Sequence, residues 1–354
     1  MAEESTELTS ALAGVQVTDW KAAKEAAPAC HSLADCGDAS DAQEAEGGDV
    51  PSWRTPEAVA AVSARFLDRK TPLVERFRCV FTLRNIATPA AIDALTAGFV
   101  DEPSDLLKHE IAYVLGQIRD PRAVPVLLEL LANEKECAMV RHEAGEALGA
   151  IGDESAMESL EKYAQDPVVE VAETCQVAID LIRWRREQEA KEGEKLSANP
   201  YHSVDPAPPC PEHDVPKLRA LLLDTSKPLF KRYRAMFSLR NIGSDDAAIA
   251  IADSLTDSSA LFRHEAAYVL GQMQNQAVVD HLIAVVDRDD EEPMVRHEAA
   301  ESLGAIGTTK AMDRLQSLQH DRHQVVHESC VVALDIMDYY ASGDFQYADS
   351  LQKV

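Results

Sequence analysis

The fold of this chain is decided by the stretch Lys108-His109-Glu110-Ile111-Ala112-Tyr113-Val114-Leu115-Gly116. Its His-Glu pair returns three more times in nearly the same surroundings. The four pairs are His109-Glu110, His142-Glu143, His264-Glu265 and His297-Glu298. The first and second pairs are 33 residues apart, as are the third and fourth, and 155 residues separate the first from the third. The chain is therefore a repeat within a duplication.

A glycine follows each of these histidines after seven residues, within a segment rich in small residues, Leu and Val. The four are Gly116, Gly149, Gly271 and Gly304. Glycine is favoured just beyond the last turn of a helix. We therefore expect each segment to be a short helix that its glycine ends.

Helical patterns recur at roughly 30 to 33 residues from about Thr55 onward. This period is typical of an α-solenoid, in which each helical hairpin buries its apolar face against its neighbours. Ankyrin and tetratricopeptide repeats share the period, but their signature residues are absent, so the units are HEAT-like. The pattern predicts an all-α fold of about eight short HEAT-like hairpins in two halves related by a pseudo-twofold.

Composition divides the chain into five segments. We expect an acidic, disordered leader over 1–52, an N-terminal half over 53–183 and a charged, Pro-rich linker over 184–214. A C-terminal half over 215–341 and a tail over 342–354 complete the chain.

The overall composition limits the possible functions. The chain has 354 residues, is 46% hydrophobic and has a formal net charge of −27. Such acidity disfavours nucleic acid or an anionic membrane as a partner and favours a basic protein. The chain shows no apolar run long enough for a membrane helix and no secretory signal pattern. Its seven cysteines form no CxxC pair, and we expect a cytoplasmic protein without a disulfide framework.

The His-Glu pairs are predicted to lie away from the core of their own hairpin. In the third repeat, Val140, Ala144 and Ile151 belong to one apolar stripe at about 100° per residue, and His142 lies nearly opposite to it. The other pairs follow the same arithmetic, so a core histidine explains them poorly. His327 falls out of this register, one residue early, and we expect it to be a surface residue.

This register predicts a metal centre. Second helices of successive repeats stack about 10 Å apart, so equivalent histidines should converge. Two histidines and one carboxylate are the ligands of non-haem Fe(II) enzymes, and the duplication would bring two such sets together. Iron or manganese fits this ligand set best. A two-metal hydrolase and a metal-free HEAT scaffold that binds a basic protein are the alternatives.

Four residues lie one helical turn after the histidines on the same face. They are Tyr113, Glu146, Tyr268 and Glu301. We expect them to support the ligands or to line a pocket, and ordinary packing is the alternative for the tyrosines.

With these motifs, residues 55–340 closely resemble the deoxyhypusine hydroxylase family, HEAT-repeat enzymes with four His-Glu motifs in two symmetric halves. The resemblance rests on the four motifs, on the duplicated Leu-Arg-Asn-Ile segments at 83–86 and 239–242 and on the variable linker between the halves. The long acidic leader departs from the family pattern.

The resemblance implies a di-iron monooxygenase with O2 as co-substrate. It implies a protein substrate, the deoxyhypusine form of eukaryotic translation initiation factor 5A, and the last step of hypusine synthesis. Carried over by motif, the ligands of one Fe2+ are His109, His142 and Glu143. Those of the other are His264, His297 and Glu298. The same motifs imply that Glu110 and Glu265 are the catalytic acids that bind the amine groups of the substrate.

Overall fold

The computed structural model describes residues 54–189 and 196–342, in which all regular structure is helical. The acidic leader lies outside these residues, as does the tail from residue 343. In the N-terminal half the helices are α1 (Pro56–Leu67), α2 (Leu73–Ile86), α3 (Pro89–Ala97), α4 (Asp105–Ile118), α5 (Val124–Ala132), α6 (Ala138–Ile151), α7 (Met157–Tyr163) and α8 (Val169–Glu189). In the C-terminal half they are α9 (Val215–Leu223), α10 (Leu229–Ile242), α11 (Asp245–Ala252), α12 (Ala260–Met273), α13 (Val279–Val286), α14 (Pro293–Ile306), α15 (Thr309–Leu318) and α16 (Gln324–Ser342).

Consecutive helices pair into four hairpins per half. The second helix of each hairpin packs against that of the next, so that α4, α6 and α8 lie side by side, as do α12, α14 and α16. The predicted all-α solenoid of about eight hairpins is confirmed. No helix within 54–189 or 196–342 combines the length and apolar character needed to cross a lipid bilayer.

The glycines of the His-Glu segments lie inside the helices, so the expectation that they end them was wrong. Helix α6 continues past Gly149 to Ile151, and the left-handed residue that follows it is Gly152. A Cβ atom at Gly149 would lie 2.7 Å from the Cβ of Ala178. Gly304 faces Ala333 in the same way, at 2.6 Å. These glycines therefore let neighbouring second helices approach closely, which brings equivalent side chains together.

A buried arginine anchors the first turn of four of the eight second helices. In Arg141 of α6, Nε donates to the carbonyl of Leu131 at 3.0 Å and Nη2 lies 2.5 Å from the carboxylate of Asp166. The same arrangement of an arginine, a carbonyl ten residues earlier and an acid of the following loop recurs three times. It joins Arg76 to Phe66 and Glu102, Arg232 to Leu222 and Asp257, and Arg296 to Val286 and Asp321.

Each of these arginines directly precedes the helix position at which the central repeats carry histidine. Arg141 precedes His142, and Arg296 precedes His297. The position of His327 is equivalent to that of Arg296, and its Nδ1 bonds to the carbonyl of Gln319. His327 is thus part of the packing of its repeat, half-buried rather than a free surface residue.

The two halves close into a ring. The Ser104 hydroxyl donates to Glu328 at 2.7 Å, and the equivalent Ser259 donates to Glu173 at 2.6 Å. Arg78 adds an ion pair with Asp335 at 2.6 Å. Apolar side chains of α16, among them Ile336, belong to the core of the N-terminal half. The four central second helices therefore face one another across the pseudo-twofold axis.

The segment between the halves is folded against both of them. Helix α8 continues to Glu189, and residues 196–214 follow without regular structure. We call residues 197–210 the strap. Val204 of the strap bonds to Gln117 of the N-terminal half, and Asp205 bonds to Arg240 of the C-terminal half. The domain limits given above remain a proposal.

Candidate metal centre

The four histidines of the His-Glu pairs form one cluster at the centre of the ring. Within the N-terminal half the ring centroids of His109 and His142 are 5.6 Å apart, and within the C-terminal half those of His264 and His297 are 5.3 Å apart. Across the halves the separations are equally short, 5.2 Å between His109 and His297 and 5.1 Å between His142 and His264. The expected convergence of the four imidazoles is therefore present.

These imidazoles are deeply buried and their nitrogens are short of partners. His142 and His297 are 0% exposed, and His109 and His264 are at most 5% exposed. Within residues 54–189 and 196–342, seven of the eight ring nitrogens make no hydrogen bond of good geometry, although one of them, His109 Nε2, lies close to a carboxylate. The seven are His109 Nε2 and both nitrogens of His142, His264 and His297. Buried polar atoms are normally bonded, and each exception needs an explanation. A metal ion bound by these nitrogens would provide one.

Electrostatics keeps three of the four rings neutral, which is the form that binds metals. Burial lowers the pKa of His142, His264 and His297 well below the usual value, and the neighbouring imidazoles lower it further. Burial also disfavours the charged form of His109. At His109, however, the carboxylates of Glu143 and Glu110 outweigh burial and raise the pKa of the imidazole.

Carboxylates of both halves approach the rings in matching ways. His109 Nε2 lies 3.2 Å from Glu143, and the equivalent His264 Nε2 lies 3.6 Å from Glu298. The first histidine of each half thus faces the glutamate of the second pair, as the proposed ligand sets require. Glu110 instead lies 3.4 Å from Nδ1 of its neighbour His109.

Possible ligand atoms within 4.8 Å of one another form groups that only partly follow the two proposed sets. One group is His264, His297 and Glu298, which is the proposed C-terminal set. The proposed N-terminal ligands are divided between a group of His109, His142 and His264 and a group of His142, Glu143 and Glu146. The first of these two groups spans both halves. Mixed nitrogen and oxygen donors without a thiolate fit iron or manganese.

A cavity of about 60 Å³, which we call the central cavity, adjoins the cluster. Six carboxylates line it: Glu110, Glu143, Glu146, Glu265, Glu298 and Glu301. Burial raises the pKa of Glu110 to about 7, and burial together with the charge of Asp205 raises that of Glu265 to about 8. One oxygen of Glu265 is buried with no hydrogen-bond partner among the described residues. So many buried acids close together would be stabilised by cations, whether metal ions or ammonium groups.

The four residues one turn beyond the histidines all line the central cavity. The hydroxyls of Tyr113 and Tyr268 are hydrogen-bonded to each other at 2.7 Å across the two halves. Glu301 accepts a hydrogen bond from Ser329 at 2.9 Å. His297 Nδ1 is 3.7 Å from Glu301. These residues are therefore part of the pocket, and the tyrosines do more than fill space.

Sequence reasoning missed several residues that shape the cavity. Phe81 and Gln272 line it, and Arg240 holds Gln272 from behind. Gln272 could have been suspected, because the duplicated motif repeats it as Gln117. The role of Asp205 carries no comparable signal, since the strap has no counterpart among the repeats.

The family model described as HEAT repeats matches residues 92–179, 215–293 and 252–335. Curated relatives match over a longer range. The chain is 52% identical over 300 residues to "Deoxyhypusine hydroxylase" from Mus musculus, which covers 85% of this chain and 98% of the relative. It is 54% identical over 297 residues to the protein of that name from Gallus gallus, which covers 84% and 98%.

A solved structure agrees with these relatives. The structure of human deoxyhypusine hydroxylase in complex with glycerol has a TM-score of 0.77 and 52% sequence identity, and the match covers 80% of this chain and 96% of that one. The similarity thus spans nearly the whole of each relative, with all four His-Glu motifs inside it. The chain belongs to the deoxyhypusine hydroxylase family.

Proposed function

We propose that this protein hydroxylates the deoxyhypusine side chain of a protein substrate, the precursor of eukaryotic translation initiation factor 5A, with O2 and two bound Fe2+ ions. The observation that carries the proposal is the cluster of four buried imidazoles, in which seven ring nitrogens make no hydrogen bond of good geometry within the described part of the chain. Membership of the deoxyhypusine hydroxylase family supports the choice of reaction. The scaffold alternative gives no reason for burying so many nitrogens without partners.

The proposed ligands of one iron are His109, His142 and Glu143. Those of the other iron are His264, His297 and Glu298. When bound, the irons would supply the activation of O2. Three protein ligands for each ion leave positions open for oxygen. The lowered pKa values of His142, His264 and His297 favour the neutral form that binds metal.

The proposed role of Glu110 and Glu265 is to bind the amine groups of the substrate. Both acids line the central cavity and are at most 6% exposed. An ion pair between a carboxylate and an ammonium group is stronger where water is excluded. Binding the amines on both sides of the centre would hold the methylene chain between them in a fixed position beside the irons.

The net charge of −27 suits a basic protein substrate, because opposite charges accelerate encounter. We also propose a cytoplasmic location, where a translation factor would meet the enzyme.

The test combines metal analysis with product analysis. We expect about two irons per chain and an oxygen-dependent gain of one oxygen atom in the deoxyhypusine residue, seen by mass spectrometry. His142→Ala should lose both the metal and the activity. His327→Ala is the matched control, because His327 lies outside the cluster, and it should retain both. A folded protein without bound metal, or one that leaves deoxyhypusine unchanged in air, would refute the proposal.

A further inference from the structure

We propose that Tyr113 and Tyr268 determine what enters the central cavity and that Gln272 is the residue that positions them. This inference rests on the proposed function for its substrate, a chain that carries amines. The contacts that support it lie outside the proposed metal ligands. It assigns a role to the strap between the two halves, which the metal centre itself does not use.

The tyrosine pair is the less deeply buried part of the central cavity that joins the two halves. Both rings line the central cavity and both are only half-buried, whereas the four histidines are buried. Each tyrosine comes from one half, and their hydroxyls meet at 2.7 Å. A side chain that reaches the imidazoles from this side must pass the pair. The bond between the hydroxyls therefore sets the width of the passage.

A chain of hydrogen bonds connects this pair to the strap. Gln272 Nε2 donates to the Tyr268 hydroxyl at 3.0 Å, and Gln272 Oε1 accepts from Arg240 at 2.8 Å. Arg240 in turn forms two bonds to the carboxylate of Asp205, at 2.8 and 2.7 Å. Gln272 is 2% exposed and Arg240 is 0% exposed. The orientation of Tyr268 is therefore fixed from the strap through two fully buried side chains.

The duplicated glutamine of the other half has a different task, which makes it a natural control. Both polar atoms of the Gln117 amide bond to the backbone of Val204. Gln117 Oε1 accepts from the Val204 N–H at 2.8 Å, and Gln117 Nε2 donates to the Val204 carbonyl at 3.0 Å. Both glutamines thus contact the strap, directly or through Arg240. Gln272 alone of the two donates to a tyrosine of the pair.

Loss of one hydrogen bond of this kind changes an opening equilibrium by roughly threefold to tenfold. Tyr268→Phe and Tyr113→Phe keep the rings and remove the bond between the hydroxyls. Gln272→Met keeps the size of the side chain and removes only its amide. All three should widen the passage without touching a proposed ligand, whereas Gln117→Met should leave the tyrosine pair in place.

The first measurement is the rate at which a small chelator, 2,2′-bipyridine, removes iron from the protein as isolated. We expect this rate to rise about threefold to tenfold in the two Phe variants and in Gln272→Met, and to stay within about twofold in Gln117→Met. Equal acceleration by both glutamine variants would overturn the inference, because the effect would then come from a loosened strap. Unchanged rates in all four variants would overturn it as well.

A second measurement does not need the metal. Diethyl pyrocarbonate modifies neutral imidazoles, and peptide mapping follows the rate of modification at His264 after metal removal. We expect modification to be faster in the two Phe variants and in Gln272→Met than in Gln117→Met. A protein that binds no iron would refute the proposed function, and this second measurement would still decide whether the tyrosine pair controls access.

Discussion

At the scale of single residues, identical His-Glu pairs acquire different tasks from their neighbours. Glu143 and Glu298 each face the first histidine of their own half, at 3.2 and 3.6 Å. In the part of the chain that the structure describes, a buried oxygen of Glu265 has no partner, and burial together with Asp205 raises the pKa of this carboxyl to about 8. The motif is the same in each case. All four glutamates are at most 6% exposed, so the neighbours that each meets, rather than burial, separate a proposed metal ligand from a proposed substrate-binding acid.

Glu265→Gln tests this division of labour. The variant should keep its iron, because Glu265 is outside both proposed ligand sets. It should raise KM for the deoxyhypusine-bearing protein by at least about tenfold, since a buried charge pair that loses one partner costs about 2 kcal/mol or more. Steady-state kinetics and iron analysis of the same preparation measure both quantities.

Glu298→Gln is the matched comparison, with the same substitution at the equivalent position of the next repeat. It should lose iron from the C-terminal set. If Glu265→Gln loses as much iron as Glu298→Gln, the two glutamates do not have separate roles.

At the scale of the helix, the recurring arginine ties the first turn of four second helices to the preceding helix and to the next repeat. Arg141 joins the carbonyl of Leu131 to the carboxylate of Asp166, and the side chains of the ion pair are 3% and 4% exposed. The next residue is His142. The buried ion pair therefore sets the position of a proposed ligand as well as the packing of two repeats.

Asp166→Asn should lower the free energy of unfolding at neutral pH by about 3 kcal/mol. Burial alone would raise the pKa of Asp166, but the bonds from Arg141 and from the Val168 amide outweigh it, so the pKa is lowered in the folded protein. The ionised carboxylate thus stabilises the fold above the unfolded pKa of about 3.9. This stabilisation is lost as the pH falls through the lower pKa of the folded state.

Urea unfolding from pH 7 down toward pH 3, followed by circular dichroism, measures this effect. The difference between wild type and Asp166→Asn should shrink at the acid end. Asp280→Asn, which alters an exposed ion pair with Lys310, should change stability by less than about 1 kcal/mol. A difference that is constant with pH would show that Asp166 does not act through its charge.

The helical period explains how much of the fold and of the candidate metal centre could be predicted from the sequence. The repeat and the duplication of the His-Glu pairs determine the solenoid, the face of His142 and the convergence of the rings, because regular stacking follows from a regular period. The prediction for Gly149 was wrong, since the sequence does not show whether a glycine ends a helix or lets a neighbouring helix pack closely against it. Asp205 was missed because its bond to Arg240 depends on the path of an irregular segment.

At the scale of the whole molecule, the ring has two seams that are related by the pseudo-twofold but differ in whether the chain itself crosses them. Helix α16 meets the N-terminal half through Glu328 and Asp335, and helix α8 meets the C-terminal half through Glu173. The chain itself runs across the second seam, because α8 leads into the strap and then into α9. The first seam is closed by noncovalent contacts between helices far apart in sequence.

This asymmetry leads to a prediction for two equivalent substitutions, Glu328→Met and Glu173→Met. Each removes the acceptor of one serine hydroxyl, a bond to a charged group that contributes about 2 kcal/mol. Where the strap holds the helices together, their effective concentration stays high and the broken bond is partly compensated. Glu328→Met should therefore lower Tm by about 4 to 8 °C, and Glu173→Met by clearly less. Calorimetry of the iron-loaded protein measures both Tm values. If Glu173→Met lowers Tm as much as Glu328→Met or more, the strap does not reinforce the seam that it crosses.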